Sequence, residues 1–527
     1  VTVLALGTAA SRATGYLRAS VWSAALGLNL VGATFLVANT VPTVLYVLLV
    51  GGALNSTFVP AWVEASRLPP RESRERTDKL LTAILLALVV VTVAATLAAP
   101  WIVRLYAGTT WTSGDIALAA AFATWCLPQI LGYGVYAALS QLLASRDRFT
   151  ASAWSPVFNN VVTLAVGVLF LTVWAVDTRA RTAGEAGVRP WQVAVLGGGA
   201  TLGIAVQALA LVPALRRTGF GYTPRFDLRG AGLRRTAGAA GWTVVFVAAS
   251  QAGYLATTVV ANTAATAPGA AGLPAYTNAS LLWLLPHGIV AVSIATAGLP
   301  ALARAAGAGR TDLLLSRLGA DLELVGVTSV LAAGAFLATS PDLARVAFAG
   351  NSAADGRSIG WVLCVLAPAL PFFSLQYLLL RGFYAHGDTR TPALLQIGIA
   401  GTIAVLAIAA GRTLGPDRVV LGLAAGYGLS YVGGFLVTAA VFRRRYGDPG
   451  WRKLGAGVGR WAVLAAGAAA AGAAAGRSVR TEGLLSAAEA GGLAALAFAV
   501  VTYAAARTAG WGVPWRISSS TDPASST

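Results

Sequence analysis

The chain has 527 residues, 57% of them hydrophobic and only 11% charged, and its mean hydropathy is +0.70. Soluble domains carry about 25% charged residues, so an ordinary water-facing surface is excluded. Lys and Arg outnumber Asp and Glu by 38 to 20, a net charge of +18; in so apolar a chain this excess reads as membrane orientation, with no nucleic-acid partner expected. Two Cys exclude a disulfide framework, and two His argue against a Cys/His metal site, so no cofactor is expected.

Apolar stretches of the roughly 20 residues a bilayer requires recur along the whole chain. In order they fall near 1–28, 31–62, 80–107, 115–144, 151–176, 191–213, 237–260, 276–302, 319–340, 360–381, 391–411, 419–442, 458–475 and 483–506. The spacing predicts an all-α polytopic membrane protein with about 14 transmembrane helices. The first run contains Arg12 and Arg18 and leads straight into the second, the pattern of a retained span and not of a cleaved signal peptide. The Ser/Thr-rich end, within 507–527, is expected to be a disordered cytoplasmic tail.

With an even number of spans both termini share one side. Loops on that side (63–79, 145–150, 214–236, 303–318, 381–390, 443–457 and the tail) hold about 25 of the 38 Lys and Arg, against about 10 in the opposite loops. The positive-inside rule then places both termini in the cytoplasm.

The two halves resemble each other at an offset near 240 residues. Ser11-Arg12-Ala13-Thr14-Gly15-Tyr16-Leu17 answers to Ser250-Gln251-Ala252-Gly253-Tyr254-Leu255, and Ala144–Arg148 to Ala385–Thr389. The second and eighth spans both carry an internal proline, Pro42 and Pro286, and a closing one, Pro60 and Pro300. These four prolines are the expected hinges. Six spans separate equivalent positions, so the repeats have the same topology: an N-lobe (1–213), a C-lobe (237–442) and a C-terminal pair (458–506) outside the repeat. Two lobes around an interfacial site are the pattern of a transporter. The alternative is a repeat kept for structure alone.

Arginine inside a span costs roughly 2.5–3.5 kcal/mol at a helix centre, which makes Arg12 and Arg18 candidates for capture of an anionic group, foremost phosphate. They lie about 9 Å apart along a helix and about 120° around it. Arg12 can instead snorkel to the cytoplasmic surface. Asn39, Asn55, Asn159, Asn160, Asn278 and His287 follow the proline-broken helices, where a single Asn serves as interhelical glue or as a substrate contact. No nucleophile–base pair, carboxylate pair or metal cluster stands out, and an enzyme is not expected.

Ser11–Arg18, Val37–Pro42, Gly51–Pro60, Trp154–Asn160 and Gly382–Pro392 together resemble the MurJ/MviN family, of the multidrug/oligosaccharidyl-lipid/polysaccharide exporter superfamily. The resemblance runs in order along nearly the whole chain. It implies fourteen spans, two six-helix lobes and flipping of lipid II, the undecaprenyl-pyrophosphate-linked peptidoglycan precursor, by alternating access. It also implies that Arg12 and Arg18 hold the pyrophosphate, that the last two spans form a groove for the lipid tail, and that membrane lipid and other cell-wall synthesis proteins are partners. A coupling ion, of unknown identity, or the membrane potential would supply the energy. Family members carry an acidic residue where this chain has Ala33, arginines near Tyr46-Val47 and an arginine near Leu281. With these absent, Asn39, Tyr46 and Asn55 are expected to rebuild headgroup recognition. The high Ala/Gly content and the preference for Arg over Lys resemble the actinobacterial branch. The alternatives are another polyprenyl-linked glycan or an amphiphilic drug as substrate on the same fold, or a non-transporting cell-wall scaffold.

Overall fold

A chain without water partners closes its backbone hydrogen bonds within each segment, and long apolar segments therefore become helices. The computed structural model describes residues 2–48, 68–146, 148–174, 182–227, 237–267, 272–509 and 511. Among them, twelve helices are long and apolar enough to cross a bilayer. Two further helices precede these: α1 (Thr2–Leu26), which contains Arg12 and Arg18, and α2 (Leu30–Tyr46), seventeen residues long. Then follow α3 (Pro70–Leu97), α4 (Ala99–Tyr106), α5 (Ser113–Cys126), α6 (Gln129–Ala144), α7 (Thr150–Val173) and α8 (Pro190–Leu209). The second half comprises α9 (Ala237–Ala264), α10 (Leu273–Pro286), α11 (Val292–Gly307), α12 (Thr311–Ala347), α13 (Ala353–Leu366), α14 (Leu370–Ala385), α15 (Arg390–Thr413) and α16 (Pro416–Tyr446). Helices α17 (Trp451–Val479) and α18 (Leu484–Thr508) end the series. Apolar side chains stand outward on many of them, Val463 at 77% and Leu485 at 81% exposure, as a lipid-facing surface requires.

Several boundaries differ from expectation. The charged stretch 71–79, read as loop, is the first part of α3: Pro70 fits the first helical position, and Glu75 and Lys79 pair one turn apart at 3.3 Å. Pro100 then breaks the span, so that α4 is separate where a single run to 107 was expected. Asn55, Pro60 and the tail from 512 onward lie outside the described residues.

The described chain forms two compact units. The first holds 1–281, 347–358 and 389–426. In it α1 packs along α7, and the repeat-equivalent helices α9 and α15 pack along each other in the same way. Gly27, at φ 71°, makes the corner between α1 and α2, and Gly32 follows so closely that an added Cβ would lie 2.2 Å from the Gly27 carbonyl oxygen. No other residue fits either position without moving the corner.

The second unit holds 282–346, 359–388 and 427–527. Helices α17 and α18 lie against each other through Gly472 and Gly476, where a Cβ would meet the carbonyl oxygens of Ala494 and Ala490 at 2.6 and 2.9 Å. Small residues let the backbones approach this closely. A buried Asp342 on α12 pairs with Arg480, just past α17, and ties the pair to the rest of the unit. Pro286 lacks the N–H that α10 would need to continue regularly, and a π-helical turn, His287–Ala291, absorbs the break before α11.

Candidate functional site

Helix α1 is pinned to its neighbours by polar contacts at several levels. Asn160 on α7 donates from Nδ2 to the Ser11 carbonyl (2.9 Å) and to Thr14 Oγ1 (3.0 Å). Higher up, Trp22 Nε1 donates to the Thr163 carbonyl at 2.8 Å, with Gly167 leaving room for the indole. Tyr16 and Ser20 both donate to the Ala347 carbonyl, at 2.6 and 2.9 Å. Asn160 is thus interhelical glue, as one reading of the sequence held.

These contacts orient one side of α1 toward a cavity of about 320 Å³ within the first unit. Its wall includes Arg18 and Trp22 from α1, Asn39, Thr40 and Thr43 from α2, Gln129 and Tyr133 from α6, Asn159 from α7 and Thr277, Asn278 and Leu281 from α10. Arg18 is the single charged side chain among the described residues of this wall. The Asn39 Oδ1 accepts from Gln129 Nε2 at 2.9 Å, which leaves the Asn39 amide donors for the cavity. Asn278 donates to Ser23 Oγ at 2.8 Å. Asn159 lies on the wall, but its Oδ1 is buried against Gly203 of α8 and is not presented to the cavity. Trp22 stacks on Phe35 at 4.6 Å and closes an apolar side. One cation, several amides and hydroxyls and an aromatic side suit an anionic group attached to a hydroxyl- and amide-bearing body.

The residues expected from the sequence are distributed as follows. Arg18 and Asn39 lie on the wall. Arg12, six residues earlier on α1, does not line it. Tyr46 stands behind Tyr133, their rings 5.0 Å apart, and so supports the wall without forming it. Pro42 is buried within α2, Pro286 precedes the π-helical turn and Pro300 lies inside α11. Of the positions where the resemblance led one to expect a charged residue, Leu281 is on the wall and Ala33 is fully buried. Gln129, Tyr133 and Trp22 were not anticipated. The break at Leu127-Pro128 aims Gln129 inward, and a proline followed by a lone Gln in an apolar run was the available signal.

A second cavity, apolar and about 510 Å³, lies in the second unit among α12, α14, α16 and α17, with Phe372, Phe435 and Trp451 facing the small residues Gly455, Gly459, Ala462 and Ala466. Part of the Ala/Gly-rich α17 packs on α18, and another part lines this cavity. Among the described residues no group of three or more His, Cys, Asp or Glu could hold a metal ion.

Comparison with known proteins points one way. The family model described as "Lipid II flippase MurJ" matches residues 22–489. A probable lipid II flippase MurJ of Rhizobium meliloti (strain 1021) is 27% identical over 422 residues, 79% of this chain and 75% of that protein. The lipid II flippase MurJ of Burkholderia cenocepacia is 26% identical over 406 residues, 74% of each. Among solved structures, a lipid II flippase MurJ in an inward closed conformation superposes with a TM-score of 0.75 at 15% identity, over 97% of this chain and all of that one. An inward-facing multidrug resistance MATE transporter of the MOP superfamily gives 0.60 at 15% identity, over 82% and 95%. At these identities the structures speak for the fold alone.

Proposed function

The chain belongs to the lipid II flippase MurJ family, a family of transporters and not of enzymes, and from that premise we propose that it moves lipid II from the cytoplasmic to the outer leaflet by alternating access. The observation that carries this reading is Arg18, the one charged side chain among the described residues of a cavity wall that presents amides, hydroxyls and aromatic rings beside its aliphatic side chains. In this reading Arg18 forms the charge-assisted contact to the pyrophosphate, Asn39, Gln129 and Asn159 address the sugar and peptide portions, and the apolar groove of the second unit takes the lipid tail. Arg12, Tyr46 and Asn55 act around the wall, and Pro42, Pro60, Pro286 and Pro300 are the hinges. Helices α1 and α2 complete fourteen spans with the twelve long apolar ones, organised as two six-helix lobes and a C-terminal pair. Both termini face the cytoplasm and the membrane is the plasma membrane, by the distribution of Lys and Arg. Membrane potential can supply roughly 2.3 kcal/mol per charge per 100 mV.

Leu281 on the wall, where the resemblance led one to expect an arginine, favours a second reading, in which another polyprenyl-linked glycan with fewer anionic groups is the cargo. Complementation of a lipid II flippase depletion tests both. The wild-type chain should restore growth and Arg18→Ala should not. Rescue that survives Arg18→Ala would overturn the role of Arg18, and a properly inserted wild-type chain that fails to rescue would favour the other glycan.

A further inference from the structure

The chain has two histidines, and one of them, His287, is inside a membrane-spanning helix in the second unit. It opens the π-helical turn His287–Ala291, directly after Pro286, and is 7% exposed. Such turns interrupt the regular hydrogen-bond ladder and recur at functional positions. His287 Nδ1 lies 3.0 Å from Ser374 Oγ on α14. Its ring meets those of Phe373 and Tyr377 edge-on, at 4.7 and 5.0 Å between centres. Tyr377 carries the Arg381 guanidinium 4.3 Å from its ring centre. Tyr427 and Tyr431 of α16 reach the same cluster through Phe373. On α11, which continues the turn, Arg304 stands near the far end, and the α12 carboxylate of Asp321 meets α11 at Gly298, eleven residues beyond His287.

We propose that His287 is a proton-binding site whose charge state controls how the π-helical turn is held against α14, making the proton a coupling ion for transport. An ionisable side chain within a span is costly and is retained chiefly for proton or ion relay. Imidazole is the side chain whose ordinary titration falls near neutral pH. Proton uptake forms one N–H bond on the ring and adds one positive charge; the proton comes from water on one side and is returned to water on the other. In the neutral ring one nitrogen donates and the other accepts, and either role suits the Ser374 hydroxyl. In the charged ring both nitrogens donate. Tyr377 then touches two cations, His287 and Arg381, and their repulsion pushes the turn away from α14. Pro286 and the π-helical turn provide the hinge for that movement.

This inference rests on the chain being a transporter, but its first test does not. Full-length protein carrying isotope-labelled histidine gives two imidazole signals in NMR, and His386→Gln leaves the signal of His287 alone. That signal should pass from neutral to charged within about pH 5–8; a single charge state across the window overturns the proposal. In proteoliposomes loaded with lipid II, wild-type flipping should respond to an imposed pH gradient and His287→Gln should lose that response. An equal response in the two proteins also overturns it. A preparation that flips no lipid II at all counts against the substrate reading and leaves the NMR titration to decide the proton site, which requires no substitution at 287.

Discussion

Replacing Asn160 with alanine should loosen α1 from α7 by about 1 kcal/mol, and by no more than about 3. Asn160 is 5% exposed and its one amide nitrogen serves two acceptors on α1, the Ser11 carbonyl and Thr14 Oγ1. Interhelical hydrogen bonds within bilayers average about 0.6 kcal/mol and reach about 1.7, so two of them bracket the loss. The lower end is favoured because neither acceptor is stranded: Thr14 Oγ1 also donates to the Ala10 carbonyl at 2.7 Å, and the Ser11 carbonyl belongs to a helix ladder. Gly15 gives the Asn160 amide its room, an added Cβ standing 3.3 Å from Nδ2. The assay is reversible unfolding in mixed micelles, with Thr14→Val completing a double-mutant cycle. The coupling between Asn160 and Thr14 should be about 0.6 kcal/mol. Trp22 pins α1 to α7 about 12 Å further along the helix, so Trp22→Phe should add to Asn160→Ala within about 0.5 kcal/mol. An Asn160→Ala protein as stable as wild type, or no coupling to Thr14, would refute this account of how the Arg18 helix is held.

Two other perturbations address separate parts of the fold. Gly472→Leu places side-chain atoms where a Cβ alone would be 2.6 Å from the Ala494 carbonyl oxygen; α17 and α18 must part, at a cost of about 1–3 kcal/mol, read as a lower thermal midpoint in detergent, whereas Gly467→Leu, at a position with open space, should change little. Asp448 accepts from the backbone N–H groups of Trp451 (2.8 Å) and Gly450 (2.7 Å), and the Trp451 bond above all holds its carboxyl below the usual carboxylate range. A lowered folded-state value stabilises the protein above the ordinary Asp range and the contribution disappears as pH falls through the lowered value. Wild type should therefore lose stability relative to Asp448→Ala only below about pH 4, and the two curves should converge there. A constant difference down to pH 2 would show that the carboxylate charge is irrelevant to this helix start.

The sequence made the membrane class legible because length and apolar composition are direct consequences of the solvent the chain must meet. It also singled out Arg18 and Asn39, since a charge or amide is conspicuous in an apolar run. Gln129, Tyr133 and Trp22 were hidden for the opposite reason. A single Gln or aromatic in such a run is equally compatible with packing, and only the break at Pro128 and the contact of α1 with α7 turn these side chains to one wall. Arg381 illustrates the limit of boundary reading. It was assigned to the loop 381–390, but α14 continues to Ala385, and Arg381 lies on the ring of Tyr377.

That the described wall has one cation bears on the proposed transport. A site that must both take and release its cargo is poorly served by complete neutralisation of a pyrophosphate. One charge-assisted contact contributes about 1.5–3 kcal/mol and each neutral hydrogen bond about 0.5–1.5, because water is given up in exchange. In the proposed reading, Arg18 with Asn39, Gln129 and Asn159 would give moderate affinity spread over several weak contacts, any of which a small displacement of α1 or α2 would release. In that reading Leu281, where the resemblance led one to expect an arginine, would lower affinity without removing the anion contact. Leu281→Arg would then be expected to tighten binding and slow release, which a lower flipping rate with a lower half-saturating lipid II concentration in proteoliposomes would show.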